Sequence, residues 1–271
     1  MTPAATSGYV PVDGADVYFE VRGEGDPVLM IHGAFASGHA FRPLLPRLAA
    51  EHRVITVDLQ GHGRTADRNG PLTYERLADD CAAVVRRLAP EGCAVVGFSL
   101  GGGTAQQLAF RHPGLVRRLV VISAPFRQDG WHADVLAGFR SVRAASMPDF
   151  EGTEMYRNHV ALAPKPDEFP LLLDKLGSLL GGHAYDWTEQ VRALGMPTLI
   201  ALGDADSLSP AHAAEFFALL GGGVRDGGWE GEHMSTSRLA VLPGVRHYDI
   251  LESTLLAESL VGFLGESASA S

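Results

Sequence analysis

The chain of 271 residues is poor in several things that would otherwise narrow its role. It has two cysteines, Cys81 in a helical pattern and Cys93 at the start of an apolar run. Two such residues give no disulfide framework and suit a reducing compartment. No window approaches the roughly 18 apolar residues of a membrane span. Residues 1–7 have neither the basic start nor the apolar stretch of a secretory signal, so the expected location is cytoplasmic. Positive charge is scarce, with 22 Lys and Arg against 32 Asp and Glu and a net charge of −10. No basic cluster interleaves with aromatics, and neither nucleic acid nor membrane is an expected partner. The eleven histidines make no H-x-x-x-H or His/Cys grouping, which argues against a metal. No G-x-G-x-x-G opens a helix after the first strand, which argues against nicotinamide or flavin, and no cofactor is expected.

What is present is an ordinary globular composition, 46% apolar and 20% charged, in a chain long enough for one large domain. From about residue 27, short apolar runs alternate with helical patterns. The runs are Val28–Ile31, Val54–Val57, Ala94–Val96, Leu119–Ile122, Thr198–Leu202 and Leu239–Leu242. They are continuous rather than alternating, as in strands covered on both faces of a parallel sheet. Ahead of them, Gly8 to Arg22 alternates and is broken by Asp13-Gly14, which predicts an antiparallel hairpin at one edge. Between the strands, Tyr74 to Leu88 puts Leu77, Cys81, Val84, Val85 and Leu88 on one side of a helix.

Residues 126–196 interrupt this rhythm with helical stretches such as Val135 to Ala145 and Phe169 to Leu180, broken by Pro148, Pro164, Pro166 and Pro170. The expected organisation is a core of 1–125 and 197–265, a helical cap of 126–196 inserted between core strands, and a small polar tail, 266–271, that frays.

The most informative stretch is Gly97-Phe98-Ser99-Leu100-Gly101, between the strand Ala94–Val96 and a helix beginning near Thr104. Glycines two before and two after a serine let the backbone bend sharply, so that the hydroxyl stands clear at the strand end. The helix that follows aims free N–H groups and a positive dipole end at charge developing beside that serine. A hydroxyl becomes nucleophilic only when a base takes its proton, and the base is best held by an acid. Gly203-Asp204-Ala205-Asp206 follows one late strand and His247 follows another. The resulting order is Ser99, aspartate, His247.

On these residues the chain resembles the α/β-hydrolase family over almost its whole length. Further matching residues are His32-Gly33-Ala34-Phe35 after the first core strand and Asp58-Leu59-Gln60-Gly61-His62-Gly63 after the next. The resemblance implies a mostly parallel sheet of about eight strands with helices on both faces and a small helical cap. It implies Asp206 rather than Asp204 as the acid, and an oxyanion hole made by the backbone N–H groups of Ala34 and Leu100. His32, Asp58 and His62 then brace loops. The reaction implied is cofactor-independent hydrolysis of small to medium, mostly neutral esters or lactones through an acyl-enzyme. Serine at position 99, where dehalogenases and epoxide hydrolases of the family carry aspartate, argues against their chemistry.

Expected pocket walls are Phe35, Phe98, Leu100, Phe126 and Trp131 near the serine, with Met155, Leu171, Leu172 and Leu176 from the cap. Together they predict a mostly apolar pocket without an arginine clamp. A C–C bond hydrolase, a perhydrolase or a non-catalytic ligand receptor could be built on the same residues. Monomer and homodimer are equally compatible with the sequence. The glycine-rich stretch 221–231 predicts a solvated loop, with the lesser alternative that Trp229 folds over the site rim or enters an oligomer contact.

Overall fold

The computed structural model describes residues 6–182 and 184–266. Strands β1 (Thr6–Val12), β2 (Ala15–Arg22), β3 (Asp26–Ile31), β4 (His52–Val57), β5 (Cys93–Phe98), β6 (Val116–Ile122), β7 (Thr198–Ala205) and β8 (Arg238–Arg246) make one sheet. Its order is β1-β2-β4-β3-β5-β6-β7-β8. The predicted hairpin is β1–β2, closed at Asp13-Gly14 with Gly14 at φ 75°. β2 also runs antiparallel to β4, and every later pairing is parallel.

Successive residues on a strand face opposite ways, so a run that is apolar throughout feeds two cores. Leu29 and Ile31 of β3 join Val95 of β5 and Val121 of β6 on one face. Helices α2 (Tyr74–Leu88), α3 (Leu100–Arg111) and α9 (Pro210–Leu219) cover it with Leu77, Leu108 and Phe216. Val28 and Met30 join Val96 and Val120 on the other face, under α1 (Leu45–Leu48) and α10 (Thr254–Gly265), which supply Leu48, Leu256 and Leu260. Each of these side chains, wholly removed from water, contributes about 1.5–3 kcal/mol. At the start of α2, the Thr73 side chain accepts the Arg76 N–H, a cap worth about 1 kcal/mol.

Between β6 and β7 lie α4 (Ala133–Ser141), α5 (Met147–Phe150), α6 (Glu154–Leu162), α7 (Phe169–Gly182) and α8 (Thr188–Arg192). The first helical stretch ends at Ser141, short of the Ala145 expected from sequence. Val142 is extended at φ −68° and ψ 121°. Its carbonyl presses into the space a side chain at Gly177 would fill, so the chain turns out of the helix to seat against α7.

Cys81 and Cys93 are free and buried, and burial pushes the Cys93 thiol up to about 12. Among the described residues no helix is long and apolar enough to cross a membrane. Trp229 is fully exposed, so it does not fold over the rim of the site. Of the tail predicted to fray, 267–271 lie outside the described residues, while the Glu266 carboxylate pairs with Arg238 at 3.2 Å.

Candidate active site

The groups singled out in the sequence sit at the carboxyl ends of the parallel strands. Ser99 links β5 to α3 at φ 55° and ψ −116°. A non-glycine residue held there costs on the order of 1–3 kcal/mol and needs surroundings that over-determine it. They do so here. The Ser99 N–H donates to the Ile122 carbonyl at 2.9 Å, and its own carbonyl accepts from Gly102 and Gly103 at 2.8 and 3.1 Å. A Cβ on Gly97 would run into the Gly101 carbonyl, and one on Gly101 into the Ile31 carbonyl. The two glycines therefore let α3 press against both β5 and β3, which fixes the direction of the serine between them.

His247 follows β8 directly and Asp206 follows β7. His247 Nε2 lies 3.1 Å from Ser99 Oγ, and His247 Nδ1 lies 2.9 Å from Asp206 Oδ1. Asp206 is buried and its remaining acceptor capacity is used. Oδ1 also accepts from the Leu208 N–H at 3.1 Å, and Oδ2 accepts from Ser123 Oγ at 2.6 Å and the Gly203 N–H at 3.2 Å. Burial pushes the Asp206 carboxyl up, but His247, Ser123 and the Leu208 N–H outweigh it and hold the group below its ordinary value. Asp204, the fallback, instead accepts the Gly244 N–H at 2.8 Å. Phe98 and Trp131 flank the imidazole, with ring centroids 5.1 and 5.8 Å from His247.

The N–H groups of Ala34 and Leu100 donate to no acceptor among the described residues. A Cβ on Gly33 would stand 3.3 Å from Ser99 Cβ, so the loop after β3 lies directly against the serine. His32 braces that loop: its Nε2 accepts the Leu59 N–H at 3.0 Å and its Nδ1 meets the Gly33 carbonyl at 2.7 Å. Asp58 braces it from the other side, accepting the Gly38 N–H at 2.7 Å and the Arg64 N–H at 2.9 Å. The non-glycine residues with positive φ among those described are Phe35, Ser99 and Ser123. All three border this constellation, where backbone strain concentrates in functional sites.

Ser123 was not legible in the sequence. A single serine after a strand has no spacing signature, and only the approach of β6 to β7 brings it to Asp206. The pocket residues divide. Phe35 and Leu172 line a cavity of about 300 Å³ beside the loop after β3. Phe98 and Trp131 instead hold the imidazole. Phe126 is no pocket wall: it is fully buried, stacked on His212 at 4.2 Å and edge-on to Phe216 at 5.1 Å, because the chain turns toward α9 after β6. Met155 and Leu171 stand 42% and 43% exposed on the outer sides of α6 and α7, and Leu176 is core. Nor is the cavity mostly apolar. Arg42, His39, Asn158 and Glu154 share its lining with the aromatics.

The chain matches the α/β hydrolase fold family over residues 26–253. It is 27% identical over 267 residues to the candidate carbamate hydrolase RutD of Azorhizobium caulinodans, covering 93% of this chain and 96% of that one. It is 31% identical over 223 residues to the pimeloyl-[acyl-carrier protein] methyl ester esterase of Aeromonas hydrophila, covering 72% and 82%. In fold it is similar to the enol-lactonase of Burkholderia xenovorans LB400, with a TM-score of 0.70 at 22% identity over 96% of this chain and all of that one. By its sheet order, its strained serine at the end of β5 and this match through most of its length, the chain belongs to the α/β-hydrolase fold family.

Proposed function

We propose that the protein hydrolyses carboxylic esters or lactones of small molecules, with Ser99 as nucleophile, His247 as general base and Asp206 as the group that orients the base. The observation that carries this reading is the unbroken line from Ser99 Oγ through both ring nitrogens of His247 to Asp206 Oδ1. His247 takes the Ser99 proton as Oγ attacks the acyl carbonyl, and the imidazolium then protonates the departing alcohol. Water, deprotonated by the same ring, cleaves the acyl-enzyme and restores Ser99. The oxyanion formed at each stage lies against the N–H groups of Ala34 and Leu100, each donor worth roughly 3–4 kcal/mol in the transition state. In this reading residues 126–196 form the cap over the strand ends, and the cavity walled by Phe35 and Leu172 receives part of the substrate. The esterase and enol-lactonase among its relatives, whose reactions both pass through acyl transfer, support the same reaction class.

The test is steady-state hydrolysis of p-nitrophenyl esters of two to twelve acyl carbons, with a pH-indicator assay on acyl-homoserine lactones, for the wild type and Ser99→Ala. Turnover that falls by about 10³ to 10⁶ in the variant is expected. Wild-type turnover no faster than buffer would remove the ester and lactone reading.

A further inference from the structure

Phe98 is the last residue of β5 and stands one place before Ser99. Its neighbour Gly97 packs against α3, where a Cβ would run into the Gly101 carbonyl and Ala105. Successive strand residues face opposite ways, so Phe98 leaves that side and packs against the second core. A Cβ on Gly33 would stand only 3.0 Å from two carbons of the Phe98 ring, so the bare glycine lets the ring lie directly against the loop after β3. The same ring meets His247, with centroids 5.1 Å apart and planes inclined by 35°. Rings of these sizes laid edge to edge in one plane would hold their centroids about 6 Å apart at ordinary carbon contact. The imidazole therefore overlaps the face of the phenyl ring.

That face is the negative part of the ring's quadrupole. It attracts a cation lying within about 6 Å, an attraction that a neutral ring in the same place does not feel. His247 is 9% exposed, so water competes weakly for the contact. Around the imidazole, Asp206 meets Nδ1 and Ser99 Oγ meets Nε2. Trp131 and Tyr248 stand nearly perpendicular to it, their centroids 5.8 and 5.5 Å away. Arg246, the preceding residue, is paired with Asp249 at 2.6 Å in the exposed turn.

We infer that Phe98 is a positioning residue whose ring face favours the imidazolium form of His247 over the neutral ring. Its consequence for catalysis rests on the ester-hydrolase reading. In that mechanism the imidazolium exists only once Ser99, or later the attacking water, has given up its proton. An interaction that prefers it lowers the barrier without tightening substrate binding, and so acts on kcat rather than KM.

The experiment alters the charge distribution of the ring and keeps its shape. Phe98 is replaced site-specifically by pentafluorophenylalanine, whose fluorines reverse the sign of the face, and by 4-fluorophenylalanine, which weakens it in part. Phe98→Leu removes the face altogether, and thermal melts verify that each protein is folded. In the Ser99→Ala background, where no turnover is needed, the His247 ring is titrated by NMR with labelled histidine. Its signal is assigned by its absence from His247→Gln. The midpoint should fall by about 0.5 to 1 pH unit with the pentafluoro ring and by less with the 4-fluoro ring. With Ser99 in place, kcat on p-nitrophenyl esters should drop by about three- to tenfold with KM nearly unchanged. The acid limb of the kcat/KM profile should move to lower pH, because a base that holds its proton less tightly is free at lower pH. A midpoint that stays or rises with the pentafluoro ring, or a loss of kcat with an unmoved acid limb, overturns the inference. If the pentafluoro protein melts early, the 4-fluoro ring, nearest in size to the original, must still lower the midpoint. If the wild type cleaves none of the esters, the hydrolase reading fails by itself. The preference of Phe98 for the imidazolium then stands if the midpoint in Ser99→Ala falls, and is lost if it does not.

Discussion

Ser123 Oγ donates to Asp206 Oδ2 at 2.6 Å, on the carboxylate oxygen turned away from His247. One oxygen of Asp206 thus faces the base while the other is tied to the neighbouring strand, and the carboxylate cannot rotate without breaking both bonds. Ser123 is a positioning residue in the proposed mechanism. Ser123→Ala should lower kcat/KM by about ten- to a hundredfold, in keeping with one lost hydrogen bond to a charged group. Because that bond favours the ionised form, its loss raises the proton affinity of Asp206, and the acid limb of the pH–rate profile moves to higher pH. A fall in rate with an unmoved acid limb would mean that Ser123 matters only to packing.

In the proposed mechanism Ser99 is held at φ 55° to present its hydroxyl, at a cost to the fold. Glycine reaches that backbone region without the steric penalty. Ser99→Gly should be inactive yet melt a few degrees above the wild type, whereas Ser99→Ala keeps the strain and should melt close to it. Calorimetric melts of the three proteins check this, and a Ser99→Gly that melts below Ser99→Ala would argue against stored strain.

Acid should weaken the fold through buried neutral histidines. Burial, aided by Arg127, lowers His212 to about 4, and His62 lies at about 3. Unfolded, both take protons near pH 6.5. Below that value the unfolded chain binds protons that the folded one refuses, so stability is complete above about 6.5 and declines as pH falls toward 4. His212→Gln can still accept the Phe126 N–H but does not titrate in this range. Its melting temperature should drop less between pH 7 and pH 5 than that of the wild type. Equal drops would exclude His212 as a source of acid sensitivity.

Trp229 has no neighbours to lose. Trp229→Ala should leave the melting temperature within about a degree and the acyl-length profile unchanged. A shifted profile would return this loop to the site.

Five core strands were legible because a sheet covered on both faces leaves continuous apolar runs; the run Leu239–Leu242 also falls on a strand, but β8 is the sheet edge and Val241 is exposed there rather than covered. Ser99 and His247 were legible from the strand ends that carry them, whereas Asp206 was separated from Asp204 only by the family resemblance. What lies further out was not. Phe126 and Trp131 both follow β6, and nothing in the local sequence says that the first turns into the core while the second meets the imidazole. Asn158 and His159 sit on a helix whose docking against the loop after β3 is a tertiary event. His62 was read as turn architecture, and its Nδ1, 2.9 Å from the Gln60 carbonyl, braces that turn.

The three groups of the Ser99 line hang from β5, β7 and β8, with β6 between the first two, in a sheet whose neighbouring strands stand about 4.8 Å apart, a spacing fixed by backbone hydrogen bonding rather than by side chains. The cavity is shared: Phe35, His39 and Arg42 come from the loop after β3, His62 from the turn after β4, and Glu154, Asn158, Phe169 and Leu172 from the detour of the chain between β6 and β7. Under the proposed function, exchanging that detour for a relative's would redraw one wall of the pocket and leave the opposite wall and the Ser99 line in place.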